Sequence, residues 1–227
     1  DTARAHSDDM VAAKYFDYHS DYAKKNNWDD AVKISDAKVL QYKTDLRVYK
    51  ETKDPVYSYY AKHEPIKGVR FGVTSDSPMR DEIPGRSAIL LYLAFGESVR
   101  TGWNDKIFEE ARENKQAIEL AWNLPREGNQ LREVINSEDY IADVLTYINQ
   151  YSDVPVYLRF GAEFNIWNVK ANSTEFIEAF RLVSTLAKTY APNVAVVWSP
   201  NEVSEWNTQI NDYYPGDEYV DWVGVSL

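Results

Sequence analysis

Apolar residues follow two different rhythms along this chain, and the change falls near Gly68. From Asp1 to Lys67 the sequence is polar and rich in Lys, Asp and Tyr. Within it Met10, Val11, Tyr15, His19 and Tyr22 recur at helical spacing and predict a helix over about 8–25. Lys38–Tyr42 and Leu46–Tyr49 read as short strands, and Asp54-Pro55 breaks any helix there. From Gly68 onward six strand-like runs appear: Val69–Val73, Ala88–Phe95, Ala117–Trp122, Val154–Phe160, Val194–Trp198 and Trp222–Val225. Ala88–Phe95 is almost continuously apolar, the pattern of a strand covered on both faces. Between strands, Tyr140, Ile141, Val144, Leu145 and Ile148 form one helical stripe behind the cap residue Ser137. Phe176, Phe180, Val183 and Ala187 form another, opened by Asn172 with Glu175 three residues on and stopped before Ala191-Pro192.

Strands alternating with helices imply a parallel sheet in an α/β architecture. A doubly wound sheet with a dinucleotide site is disfavoured, because Gly72-Val73-Thr74-Ser75-Asp76 stands where a glycine-rich phosphate loop would follow the first strand. An open sheet of six strands would leave long edges exposed, and the sixth runs into Val225-Ser226-Leu227. The expectation is a (β/α)8 TIM barrel truncated after strand six. Residues 68–227 form the partial barrel, and residues 1–67 a helical and strand-containing N-terminal appendage of unassigned role.

Composition narrows the chemistry. The net charge of −11 repels phosphate backbones and anionic lipid, which argues against nucleic acid as a partner. No apolar run approaches the roughly 20 residues needed to cross a bilayer, so membrane insertion is not expected. With no cysteine in the chain, disulfides, thiolate metal sites and cysteine nucleophiles are excluded. His6, His19 and His63 all fall in the appendage and make no ligand pattern, so neither metal nor cofactor is expected. No Gly-x-Ser-x-Gly elbow is present.

The most informative stretch is Tyr157-Leu158-Arg159-Phe160-Gly161-Ala162-Glu163-Phe164-Asn165-Ile166-Trp167. Strand alternation sends Leu158, Phe160 and Ala162 one way and Tyr157, Arg159, Gly161 and Glu163 the other, toward a barrel interior. A lone inward charge costs several kcal/mol or more, so Arg159 and Glu163 both need partners there. A pair that merely seals a barrel layer would satisfy this. Glu163, however, lies at the carboxyl end of its strand, where barrel enzymes place catalytic groups. Asn165 and Trp167 follow at the same rim, and the next strand ends in Trp198-Ser199-Pro200-Asn201. Asp76, Glu97 and Glu202 also stand near strand ends but read as solvated loop residues or caps.

Three segments, Arg159–Asn165, Val197–Asn201 and Tyr214–Val225, resemble glycoside hydrolase family 26 in sequence and order, on what would be strands four, five and six. The resemblance extends over about Gly68 to Leu227, and the third segment is the most specific. The family contains β-mannanases and related endo-β-glycanases in a clan of retaining (β/α)8 enzymes. By resemblance Glu163 is the general acid/base. Arg159 would orient the carboxylates of strands four and seven and stands among the substrate-contacting residues. Asn165, Trp167, Trp198 and Asn201 become sugar contacts by hydrogen bond or ring stacking, and Trp122, beside Asn123 at the end of strand three, fits either the same cleft or the core. The implied partner is a poly- or oligosaccharide such as mannan, glucan or xylan, met by a secreted or cell-surface protein.

Departures accompany the match. Ala162 stands where the family has His, and Ser226-Leu227 where it continues Asp-Gly-Tyr. The family's nucleophile is a Glu ending strand seven, and it is expected beyond Leu227. A carbohydrate-binding or scaffold protein that kept the fold and lost turnover is the alternative.

Overall fold

A computed structural model describes residues 61–65, 69–77, 80–125, 130–167, 172–204 and 208–226. The helix expected over 8–25 and the strands Lys38–Tyr42 and Leu46–Tyr49 lie outside the described residues, as does the side chain of Trp167.

Six parallel strands form one sheet: β1 (Gly72–Thr74), β2 (Ala88–Ala94), β3 (Ala117–Asn123), β4 (Val156–Phe160), β5 (Val194–Trp198) and β6 (Trp222–Val223). Each pairs with its neighbour in sequence, in the order β1-β2-β3-β4-β5-β6. A doubly wound sheet reverses its order at a switch point. Here no reversal occurs, and the winding is that of a (β/α)8 barrel. Helices α1 (Gly102–Glu113), α2 (Gln130–Ile135), α3 (Glu138–Asn149), α4 (Phe164–Trp167) and α5 (Ser173–Tyr190) fill the crossovers from β2 to β5.

The outer face carries the core. Ile89, Leu91, Leu93, Ile118, Leu120, Trp122, Val156, Leu158, Phe160, Val194, Val196 and Trp198 are buried, meeting the stripes of α3 and α5. Phe180 of α5 lies 6.2 Å from the Phe160 ring, and Ile141, Val144, Leu145 and Ile148 of α3 are fully covered. Burying each such side chain contributes about 1.5–3 kcal/mol. The inner face is different. Along β2 the alternation runs half-buried, buried, half-buried, buried, exposed, buried, half-buried, so the strand is covered fully on one face only, not on both as its apolar run suggested.

The helix boundaries have local causes. Thr101 caps α1 by accepting the Asn104 N–H at 3.1 Å, and Asn172 caps α5 by accepting the Thr174 N–H at 2.9 Å. Glu175 does not reach back to complete a capping box; it pairs with Arg132 at 2.8 Å and fastens α2 to α5. Ser137 precedes α3, but its hydroxyl donates to the Glu133 carbonyl at 2.7 Å. The segment Tyr214–Val220 is clamped onto α5 by Arg181 donating to the Pro215 carbonyl at 2.7 Å and Ser184 to the Tyr219 carbonyl at 2.9 Å. Asp221 then exchanges backbone and carboxylate bonds with Val196 and brings β6 onto β5.

At the amino ends of β4 to β6, Ala61–Pro65 closes over the sheet. Lys62 Nζ donates to the Val194 carbonyl at 2.6 Å, and a His63 ring nitrogen meets the Asn193 carbonyl at 2.7 Å. Trp222 Nε1 donates to the Lys62 carbonyl at 2.7 Å, and the Tyr157 hydroxyl to the His63 carbonyl at 2.5 Å. No described helix is long and apolar enough to cross a membrane.

Candidate active site at the carboxyl ends of the strands

The register fixes which side chains share the interior. Tyr157 lies opposite Glu119 and Ala195, and Arg159 opposite Ala121 and Val197. Strand alternation therefore delivers Tyr157 and Arg159 inward as the sequence implied. Arg159 Nη1 donates to Glu119 at 2.9 Å. Its Nη2 donates to Ser199 Oγ at 3.1 Å and Ser226 Oγ at 2.8 Å. One guanidinium thus ties β3, β4, β5 and the end of β6 together. Charge-assisted bonds of this kind are the stronger class, and they answer the demand for a partner that an inward arginine makes.

Glu163 reaches its place by another route. The strand ends at Phe160, and Gly161-Ala162-Glu163 is a turn in which Gly161 has φ 56° and Glu163 φ 59°. Alternation therefore stops short of Glu163, and the turn sets its position. A Cβ at Gly161 would lie 3.3 Å from the Phe176 ring and 3.4 Å from Leu124, so glycine serves both the left-handed backbone and the close packing. Glu163 has no such freedom. A left-handed non-glycine residue is unfavourable by about 1–2 kcal/mol and is held only when its surroundings over-determine it. Two bonds do so: the Glu163 N–H donates to the Ser199 carbonyl at 2.8 Å, and the Ile166 N–H to the Glu163 carbonyl at 3.0 Å, opening α4.

Asn165 is fully buried. Its Nδ2 donates to the Asn201 carbonyl at 2.9 Å, the Val203 carbonyl at 3.2 Å and Ser204 Oγ at 2.9 Å. Its Oδ1 accepts the Asn201 N–H at 2.8 Å. Both amide donors are committed, and the residue is a staple between the loops after β4 and β5, where a sugar contact was expected. Asn201 is half-buried and turns its own Oδ1 onto the Val203 N–H at 3.0 Å.

The two tryptophans lie in the core. Trp122 is fully buried against Phe95 at 5.6 Å and Phe160 at 6.1 Å. Trp198 is 7% exposed, packs on Phe164 at 5.4 Å and donates Nε1 to the Tyr213 carbonyl at 3.2 Å. The reason is parity. Both share the outward set of their strands, paired with Leu93, Phe160 and Val223, so neither ring offers a face to a sugar. Trp167 closes α4 just after Glu163.

The inner face bounds open space. A cavity of about 340 Å³ is lined by Glu119, Tyr157, Arg159, Ser199, Trp222 and Ser226 among others. A second, of about 640 Å³, extends past Tyr157 to Thr74, Leu90 and Glu64. Tyr92, in register with Ala121 on the inner face, is 54% exposed, and Asn123 ends β3 exposed in register with Ala94. Glu119, Ser199 and Tyr92 were given no role from sequence. The available signal was parity: each interrupts an apolar run on the interior set. Among the described residues no group of three or more His, Asp or Glu could hold a metal. What the turn after β4 presents is one half-buried carboxyl, that of Glu163, beside the polar inner face, though Glu163 is not among the residues lining either cavity.

Comparison with known proteins bears on these same elements. The model of glycosyl hydrolase family 26 matches residues 106–227, more than half of the chain, from within α1 to beyond β6. A β-1,3-xylanase of a Vibrio species is 32% identical over 110 residues, 43% of this chain and 22% of that protein. A β-1,3-xylanase of an Alcaligenes species is 31% identical over 100 residues, 38% of this chain and 20% of that protein. The aligned region thus spans about a fifth of either relative.

Proposed function

This chain belongs to glycosyl hydrolase family 26, and from that premise we propose that its protein is a retaining endo-β-glycosidase with Glu163 as the general acid/base. The observation carrying the reading is the placement of Glu163: a carboxyl at the end of β4, in a left-handed turn pinned by the Ser199 carbonyl. Strained backbone of this kind concentrates at functional sites, and strand ends are where barrels carry catalysis.

In the first step Glu163, protonated, gives its proton to the leaving glycosidic oxygen. In the second, as carboxylate, it takes a proton from the water that releases the sugar. A second carboxylate about 5–5.5 Å away acts as nucleophile, and the family pattern assigns it to a glutamate ending a seventh strand. The substrate is a β-linked polysaccharide, and the names of the two relatives put β-1,3-xylan first among those to test, ahead of mannan and glucan. Ala162, replacing the family's His, alters the surroundings of the bond to be cleaved. A polymer of this kind cannot enter a cell, so the protein acts as a secreted or cell-surface enzyme.

The test uses the full protein. Glu163→Ala is expected to lower turnover of the polysaccharide by about 10²–10⁴-fold, to spare aryl glycosides with good leaving groups in the first step, and to regain turnover with azide. Equal losses for good and poor leaving groups, with no azide rescue, would remove Glu163 from the role. The Ala162 departure favours a second reading, a binding protein without turnover. It is distinguished by retention of labelled oligosaccharide with no new reducing ends.

A further inference from the structure

Ser199 joins two structures that the proton-transfer role of Glu163 does not by itself connect. It is 2% exposed, and its two oxygens face different partners. The hydroxyl accepts from Arg159 Nη2 at 3.1 Å, and the carbonyl accepts the Glu163 N–H at 2.8 Å. Arg159 is itself anchored by Glu119 at 2.9 Å and Ser226 at 2.8 Å. On the far side lies Gly224, where a Cβ would stand 3.0 Å from Ser199 Oγ and 3.3 Å from Ser199 Cβ. Gly224 is not among the glycines with positive φ, so close approach to Ser199, and not backbone conformation, explains the missing side chain.

We propose that Ser199 is a positioning residue for Glu163. Its carbonyl pins the left-handed turn carrying the carboxyl, and its hydroxyl fastens that carbonyl to the Glu119–Arg159 pair inside the sheet. This rests on Glu163 being the acid/base. A turn held in an unfavourable conformation has few ways to stay in place, and displacement of a catalytic group by a fraction of an ångström lowers the rate without loosening substrate binding. The role differs from general support of the fold in its signature. Misplacing a proton donor slows substrates that need protonation and spares those that do not, whereas a loss of folded protein slows both alike.

Gly224→Ala tests this best, because it pushes on Ser199 and leaves Arg159, Glu119 and Glu163 intact. In the full protein, kcat on an unactivated glycoside is expected to fall by about tenfold more than kcat on a dinitrophenyl glycoside, with KM little changed. Ser199→Ala, which removes one oxygen and adds no bulk, is expected to give the same pattern more weakly, and decides the matter alone if Gly224→Ala does not fold. Glu163→Ala runs beside them. Leaving-group dependence in Glu163→Ala with equal losses on both substrates, or none, in the other two overturns the positioning role and leaves the acid/base reading standing. Absence of that dependence in Glu163→Ala overturns both.

Discussion

At the amino ends of β4, β5 and β6 side chains cap backbone carbonyls, and at their carboxyl ends a wider network surrounds Glu163, while each end holds one residue in left-handed backbone, His63 at φ 64° and Glu163 at φ 59°. Below, the carbonyls of Lys62 and His63 take bonds from Trp222 and Tyr157, while the side chains of the same two residues donate to or meet the Val194 and Asn193 carbonyls. Lys62, His63, Tyr157 and Trp222 are all half-buried. Above, a glutamate sits in left-handed backbone, an arginine spans four segments, and a fully buried asparagine spends its whole amide on the loop after β5. One end is bonded for stability. The other also fixes a carboxyl in place, the division of labour expected of a barrel.

The sharpest way to break the comparison is Glu163→Gly. Glycine relieves the left-handed turn, worth about 1–2 kcal/mol, against about 0.4–1 kcal/mol of extra unfolded-state freedom. The variant should melt at a higher temperature than Glu163→Ala, which loses the same side chain without relieving the turn, while losing about 10²-fold or more of the parent's activity on unactivated glycosides. A glycine variant no more stable than Glu163→Ala would mean that the turn carries no strain.

Asn165→Ala probes the exception, a carboxyl-end residue whose bonds are structural. It strands the half-buried Asn201 N–H and carbonyl, while the Val203 carbonyl belongs to an exposed residue, and should destabilise by about 1–2 kcal/mol in urea unfolding. Activity per folded molecule should fall with it, because the staple joins the loops on either side of Glu163. Tyr157→Phe makes the matching cut below. It removes the bond to the His63 carbonyl and the acceptor for Arg70 Nε at 3.1 Å, and should cost about 1–2 kcal/mol of stability with kcat unchanged. A kcat loss matching that of Asn165→Ala would join the two ends into one unit.

The sequence made the central strands plain, and for a physical reason: a strand pressed against helices needs apolar residues, and β5 falls on Val194–Trp198 as expected, whereas the first strand, expected over Val69–Val73, is Gly72–Thr74 with Val69 and Phe71 exposed before it. Helix α1 went unread because charged residues surround a narrow stripe of Ile107, Phe108 and Ala111. The site was legible in part. Arg159 and Glu163 were chosen by alternation, which holds for Arg159 and ends at Phe160, before the two left-handed residues that carry Glu163. The partner of Arg159 is Glu119, forty positions away on another strand, and nothing in the local pattern of either residue announces the pairing. Trp122 and Trp198 were read as rim aromatics from their neighbours Asn123 and Ser199, although each belongs to the outward parity of its own strand.

The smallest effect expected is a pH dependence confined to the amino end. Burial lowers the His63 pKa from its ordinary value of 6.5, Lys62 and Arg70 lower it further, and the bond to the Asn193 carbonyl and the charge of Asp221 act against them. The folded state therefore holds His63 neutral at a pH where the unfolded chain already binds the proton. Between the lowered folded value and 6.5 the unfolded state carries more protons, so stability rises with pH through that window and is fully present above it. His63→Asn removes the titration while keeping a residue that tolerates the left-handed backbone, φ 64°, found there. The stability gap between parent and variant should be constant above about pH 7 and narrow as the pH falls through 6.5, read by urea unfolding at matched ionic strength. A gap that widens toward acid would mean that protonated His63 is the favoured form, with Asp221 outweighing burial. Because His63 touches Asn193, just before β5, and not the turn at Glu163, the same titration should leave the leaving-group dependence of turnover untouched.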